Sequence, residues 1–355
     1  MRNTTWTTNF SDAILIVAIF SLIIWSLSIT DLAAADEIIL SEPCENTNRC
    51  AAFSSNGKFF ASNDHDRSIF IWDASTWKLR QTLQQVGRVN GFQFVPGRSA
   101  LISYSSRQVL FWDLEATIPT IPRALVDGAI SAISVSSDGQ MLAVACHSRI
   151  SRNQFVEIYS LSNLKTKAIW TDGSLDLPDS LAFSPSGMDL AFSSPYRRDV
   201  LIWRVGLDQM YRSFKLPLGH GHAVAFSPDG TLIAAVNGTK DQDGSVVTWD
   251  FRHADVRNTL RSGAKSVNAI VFTPDGSNLI GAGTRTAIAE PHGREIGAIV
   301  IWSLKANSSR TRSLHDGPVR KIAISPDGQR LATAYSDGKL KIFDVSVLTQ
   351  VFQDN

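Results

Sequence analysis

A short cassette recurs seven times along this chain and constrains its fold more than any other feature. Each copy holds a turn signature with a glycine: FSSNG at Gly57, FVPGR at Gly97, VSSDG at Gly139, FSPSG at Gly187, FSPDG at Gly230, FTPDG at Gly276 and ISPDG at Gly328. A short apolar run follows, then a second run with an aromatic near its end: Trp72, Trp112, Tyr159, Trp203, Trp249, Trp302 and Phe343. Short apolar runs bounded by such turns read as strands. Glycine accepts the positive φ that a tight hairpin demands. Each cassette therefore predicts four antiparallel strands. One such sheet cannot bury both its faces alone; seven packed around an axis can, and closing the circle leaves only short edges. The expected fold is all-β, a seven-bladed β-propeller of four-stranded antiparallel blades over residues 36–355, preceded by an N-terminal hydrophobic signal helix.

Aspartate follows the aromatic at Asp73, Asp113, Asp250 and Asp344, and the Trp-Asp pairs with the Ser-Pro-Asp-Gly turns resemble the WD40-repeat β-propeller family. The cassette from His315 to Asp344 matches it best. The resemblance implies a hydrogen-bonded set within each blade: a histidine before strand one, a hydroxyl on strand two, an aspartate in the second turn and the strand-three Trp. Asp66, Asp243 and Asp337 fit the aspartate position. Only His315 fits the histidine position, and its blade carries Phe343 in place of Trp. No blade holds the full set, so packing around Trp72, Trp112, Trp203, Trp249 and Trp302 is expected to supply more of the stability. Two segments can complete the last blade: Ile38-Ile39-Leu40, or Leu348 to Phe352. The N-terminal segment is preferred, because joining both ends removes an open edge.

The N-terminus reads as an address. Ala13 to Ile29 is apolar apart from three serines, Arg2 precedes it, and Ala33-Ala34-Ala35 follows. This pattern fits a secretory signal over residues 1–35 cut before Asp36. An uncleaved membrane anchor and a buried core helix are the rival readings. In the first two, the propeller lies outside the cytoplasm: exported to a periplasm or secreted, or anchored on the extracytoplasmic side. Cys44 and Cys50 are then close enough in sequence to bridge in an oxidising compartment, while Cys146 reads as a buried small hydrophobe. With 34 basic and 33 acidic residues, the charge balance gives no global pull toward nucleic acid, and no nucleic-acid partner is expected. Three cysteines exclude a disulfide scaffold, and a single long apolar run excludes a polytopic membrane protein.

Spacing locates the variable face. From turn glycine to strand-three aromatic the distances are 15, 15, 20, 16, 19, 26 and 15 residues; from aromatic to the next turn glycine they stay between 25 and 28. Blades three, five and six are thus elaborated between strands two and three, with the flanking strands expected to keep their length. Those loops emerge on the same face as the inter-blade connections, opposite the glycine turns. Arg107, Arg149, Arg152, Arg197 and Arg198 fall on these loops in blades two to four, against Asp199 alone. Arg285, His292 and Arg294 fall on the loop of blade six. The expectation is a positive sector suited to an acidic peptide, carboxylate or phosphate.

Other chemistry is thin. His220-Gly221-His222 with His292 and Asp241 or Asp243 is a weak metal-site candidate, and no cofactor is expected. No nucleophile elbow, phosphate-binding loop or His-Glu-x-x-His occurs. Asn237-Gly238-Thr239 and Asn307-Ser308-Ser309 are glycosylation acceptors in a eukaryotic secretory pathway. Inner-strand stretches such as Leu181-Ala182-Phe183 and Ile322-Ala323-Ile324 are apolar, which favours a non-enzymatic, monomeric scaffold for a protein or peptide partner. The alternative is an exported propeller enzyme or small-ligand or metal-binding protein with a site at the axial mouth.

Overall fold

Seven sheets are present, one for each cassette. The computed structural model describes residues 37–40, 50–64, 66–116, 128–148, 154–171, 178–194, 197–207, 210–217, 221–238, 244–286, 293–314 and 316–350. Blade one comprises β2 (Ala51–Phe53), β3 (Phe59–Asn63), β4 (Ser68–Asp73) and β5 (Leu79–Gln84), and blade two β6 (Gly91–Phe94), β7 (Ala100–Tyr104) and β8 (Val109–Asp113). Blade three holds β9 (Gly128–Val135), β10 (Met141–Ser148), β11 (Gln154–Ser160) and β12 (Thr166–Trp170). Blade four holds β13 (Ser180–Phe183), β14 (Asp189–Ser193), β15 (Asp199–Arg204) and β16 (Arg212–Lys215). Blade five holds β17 (Val224–Phe226), β18 (Leu232–Asn237), β19 (Ser245–Asp250) and β20 (Val256–Arg261). Blade six holds β21 (Ser266–Phe272), β22 (Asn278–Thr286), β23 (Glu295–Ser303) and β24 (Ser308–Leu314). Blade seven holds β25 (Val319–Ile324), β26 (Arg330–Tyr335) and β27 (Leu340–Asp344), and takes β1 (Glu37–Ile39) as its outer strand in the order β1-β27-β26-β25. Leu40 N–H donates to Leu340 C=O at 3.3 Å. The last blade is thus completed from the N-terminal side. Of the C-terminal alternative, Leu348 sits in a short helix, α1 (Val345–Gln350), and is buried against the core of blades six and seven, while Val351 and Phe352 lie outside the described residues.

The glycine turns behave as the sequence implies, with a refinement. Gly57, Gly97, Gly139, Gly187, Gly230, Gly276 and Gly328 all have φ between 65° and 73°. In six of the seven turns a buried hydroxyl three residues earlier accepts the backbone N–H five residues ahead of itself, as in Leu232 N–H to Ser227 Oγ at 2.9 Å and Asn278 N–H to Thr273 Oγ1 at 3.0 Å. In four turns the same hydroxyl donates to the aspartate two residues on, for example Thr273 Oγ1 to Asp275 at 2.5 Å. In blade two, whose turn glycine comes one residue earlier, Val95 takes the serine's place in the backbone hydrogen bonds of the turn and offers no hydroxyl. The Ser/Thr-x-Asp-Gly signature therefore encodes a side-chain staple as well as a left-handed glycine.

Strand two is the core of each blade. β3, β7 and β14 are buried along their whole length, and β18 and β26 at every position but the first. Packed between neighbouring sheets, they are apolar on both faces rather than alternating. The inner strands contact one another in cyclic order, β2 to β6, β9, β13, β17, β21, β25 and back to β2. Their free edges are partly satisfied across the joints between blades. Val135 N–H donates to Gln93 Oε1, Phe183 N–H to Ser134 Oγ and Val224 N–H to Ser180 Oγ, while Asn268 Nδ2 donates to Val319 C=O.

One expectation about the insertions needs correction. In blade five the flanking strands β18 and β19 keep the ordinary length of 6 residues, but in blades three and six they do not. β10 and β11 have 8 and 7 residues, and β22 and β23 have 9 each, against 5 or 6 for the matching strands of blades one, two and seven. Residues such as Ile296, buried and paired with Arg285, extend the ladder because each added pair satisfies backbone groups that a free loop would leave to water. In blades three and six the insertions lift whole hairpins above the face.

Candidate functional site

The strand-three aromatics are buried, yet their polar partners differ from blade to blade. Each faces a strand-two residue in register, and the residue two further along strand two decides the rest. In blade one it is Ser62, which accepts Trp72 Nε1–H at 2.9 Å. In blade two it is Ser103, which accepts Trp112 Nε1–H at 2.8 Å and donates to Gln85 Oε1 at 2.6 Å. Gln85 is buried just before the inner strand β6, where the family's histidine would stand. Blade six has Gly281 there, and Trp302 folds over it; a Cβ at Gly281 would lie 2.6 Å from the indole ring. Trp302 then donates to Arg261 C=O, and Trp203 to Leu207 C=O in its own turn. Trp249 packs against Phe214 with ring centroids 5.5 Å apart. The polar set is therefore a local device of blades one and two, with packing elsewhere. Asp66 does not join it: it is exposed, 3.6 Å from Arg67, while Asp64 caps the turn by accepting Asp66 N–H and Ser68 N–H. Asp337 caps its own turn through Lys339 N–H. Asp243 and His315 lie outside the described residues.

The face bearing the strand-two-to-three hairpins gathers the candidate arginines at one end. Arg107 is exposed at the tip of the β7–β8 hairpin. Arg198 is exposed before β15. Arg197 Nε lies 3.1 Å from Asp199, whose other oxygen is 2.8 Å from Lys215 Nζ. Asp199 is thus shared by two cations, which hold its carboxyl below the usual range against the opposing effect of burial. Lys215, on an outer strand, is a base that a reading of loops alone misses. Arg285 belongs to β22 rather than to a loop and donates to Ser313 Oγ at 3.1 Å; Arg294 is exposed before β23. Arg149, Arg152 and His292 lie outside the described residues. Arg107 and Arg198 stand two blades apart, and Arg285 and Arg294 two blades further on.

Metal chemistry finds little here. His222 Nδ1 lies 3.5 Å from Asp179 Oδ2, both part-exposed. Among the described residues no group of three or more His, Cys, Asp or Glu is placed to hold a metal ion; His220, His292, Asp241 and Asp243 fall outside them. Cys50 N–H donates to Asn63 Oδ1, and its Sγ is 3.7 Å from Asn90 C=O. A bridge to Cys44 lies outside the described residues, and Cys146 is buried as expected. Of the two glycosylation sequons, Asn237 is fully buried and bonded to Ser245 Oγ, which removes it as an acceptor; Asn307 is exposed in the β23–β24 turn. No helix of the described residues is long and apolar enough to cross a membrane.

Comparison with known proteins agrees with this geometry. Segments 46–73, 213–250 and 306–344 match the WD domain, G-beta repeat model. The chain is 23% identical over 299 residues to the transcriptional corepressor LEUNIG_HOMOLOG of Arabidopsis thaliana, covering 83% of this chain and 35% of that one. It is 28% identical over 182 residues to the small ribosomal subunit protein RACK1 of Caenorhabditis elegans, covering 50% and 54%. The chain thus spans well under two thirds of either relative. A chain in the crystal structure of a mitotic checkpoint complex superposes with a TM-score of 0.72 at 20% identity, over 87% of this chain and 95% of that one. Three segments of the chain thus match the WD40 repeat, and they are set in a ring of seven like sheets, the fold of a seven-bladed β-propeller.

Proposed function

We propose that this protein is an exported, non-enzymatic scaffold that docks a protein or peptide partner on the face carrying the strand-two-to-three hairpins. One observation carries the reading: the hairpins that vary in length all rise from that face, and among the described residues the exposed Arg107 and Arg198 there are not paired with an acid, Asp199 being held by Arg197 and Lys215. Variable loops on a rigid ring are where binding resides. The relatives add a general argument, since a ribosomal subunit protein and a chain of a checkpoint complex are propellers named for larger assemblies. Export rests on the Ala13–Ile29 run and the Ala33-Ala34-Ala35 step. The positive sector favours an acidic partner surface.

Affinity capture of the full chain, C-terminally tagged in its own host, tests this. A mature N-terminus at Asp36 and a partner that is lost from Arg107→Gln/Arg198→Gln support the reading. A partner retained by that variant contradicts the face; a chain ending in the cytoplasm with its N-terminus intact contradicts export.

A further inference from the structure

The seven inner strands are uncharged except at one place. β2, β6, β9, β13, β17 and β21 contain no Asp, Glu, Lys or Arg, whereas β25 begins Val319-Arg320-Lys321, and both cations are exposed. Consecutive strand residues ordinarily point to opposite faces. Here a bulge intervenes: Val319 pairs with Tyr335 and Lys321 with Ala334, so Arg320 is the extra residue.

Two other inner strands carry a bulge at the matching place, and the comparison is informative. In β9 the extra residue is Ser131, whose hydroxyl donates to Pro178 C=O at 2.6 Å; in β21 it is Asn268, whose amide donates to Val319 C=O at 2.8 Å. Both lace their blade to the next one. In blade seven the position holds a guanidinium that makes no such bond among the described residues. Nor, among the described residues, is there a spare acid beside it. Asp316 is held by Lys339 and Lys341, each at 2.6 Å, and Asp337 by Lys339 at 3.3 Å. On blade six Glu295 is 2.7 Å from Lys265, and on blade one Asp64 is taken by backbone N–H groups and Asp66 lies against Arg67.

From this placement we infer that Arg320 and Lys321 form a carboxylate-binding subsite at the axial mouth that seats an acidic side chain of a partner's peptide. The inference rests on the scaffold reading and adds a second contact on the same end of the propeller. Two cations on an otherwise uncharged, largely apolar wall focus the field at one spot. They match one or two carboxylates of a narrow segment; they do not make the long basic track that a polyanion needs. The half-buried Ile270 and Ile322 further down the inner strands offer apolar contact to the residues beside the acid.

Fluorescence polarisation of the full propeller with fluorescein-labelled hexaglutamate tests the subsite, with hexalysine and inorganic phosphate as comparisons. The expected result is saturable, salt-sensitive binding of hexaglutamate alone, weakened about ten-fold or more by Arg320→Gln/Lys321→Gln. Unchanged thermal melting of that variant shows that the loss is not unfolding. Binding that survives this variant but is lost from Arg107→Gln/Arg198→Gln overturns the mouth site while leaving the hairpin face intact. No binding by the native chain, or equal displacement by inorganic phosphate, also overturns it.

Discussion

The inner and outer strands of the propeller are built on opposite rules. The inner strands hold two charges between them, both on β25, and lace to their neighbours through Gln93, Ser134, Ser180 and Asn268. Whereas β1 of blade seven has one charge, Glu37, the outer strands of blades one and three to six, β5, β12, β16, β20 and β24, carry eight bases and no acid: Arg80, Lys167, Arg212, Lys215, Arg257, Arg261, Arg310 and Arg312. Each is largely exposed and anchored by one buried side chain, Leu83, Trp170, Phe214, Leu260 or Leu314. An outer strand presents an unpaired edge, and like charge along it discourages pairing with another sheet. The lesson is that ring closure needs neutrality and interlock at the axis, while solubility needs charge at the rim.

The sharpest test of this contrast pairs two large aromatics of one blade. Trp203 is fully buried on strand three; Phe214 is buried on the outer strand. Trp203→Ala is expected to cost about 3–5 kcal/mol and to unfold the ring as a unit in a denaturant titration. Phe214→Ala is expected to cost less globally and to release β16, seen as fast hydrogen exchange at residues 212–215 with β14 still protected. Equal global losses without local exchange would remove the distinction.

Next in size is the relay of blade two. Ser103→Ala leaves the Trp112 indole N–H and the Gln85 carbonyl unpaired in a buried site, at about 1–3 kcal/mol. Ser62→Ala strands only Trp72 and is expected to cost less. A reversed order, read by chemical denaturation, would show that Gln85 is not part of the set.

Acid stability probes the glycine turns at the end away from the proposed docking face. Hydroxyl hydrogen bonds hold the Asp138, Asp229, Asp275 and Asp327 carboxyls below their ordinary value, Asp275 at about 2 against 3.8. Their folded pKa values are depressed, so the stability they contribute is full above about pH 4 and is lost as pH falls toward about 2. Thr273→Val is expected to raise the Asp275 pKa and flatten that acid limb in a pH-resolved melting series.

The smallest effect is expected in the outer turns. Ala254, in the β19–β20 turn, has φ of 64°, a conformation that costs a residue with a Cβ about 1–2 kcal/mol. Ala254→Gly is expected to be neutral or to stabilise by under about 1 kcal/mol, since glycine's extra unfolded-state freedom offsets part of the relief. A clear loss of melting temperature would refute it.

The ring was legible from the cassette because turn chemistry and apolar runs are local. Blade closure by Ile38-Ile39-Leu40 was legible because joining both ends of the chain in one blade removes an open edge. Less was visible where the partner is remote in sequence. Ser62 and Ser103 look like ordinary strand residues until register sets them beside Trp72 and Trp112. Gln85 could have been found by asking which polar residue precedes each inner strand. Asp66 matched a spacing, but Asp64 has the reach to the turn amides. Arg320 was passed over because a bulge cannot be read from periodicity, and without it Arg320 and Lys321 would face opposite ways.

The docking claim is tested most directly by hydrogen exchange of the captured complex against the free chain. The account predicts slowed exchange at residues 105–108, 197–198 and 319–321, with β5, β12, β16, β20 and β24 unchanged. Slowing confined to those outer strands, or to the glycine turns at the opposite end, would contradict it.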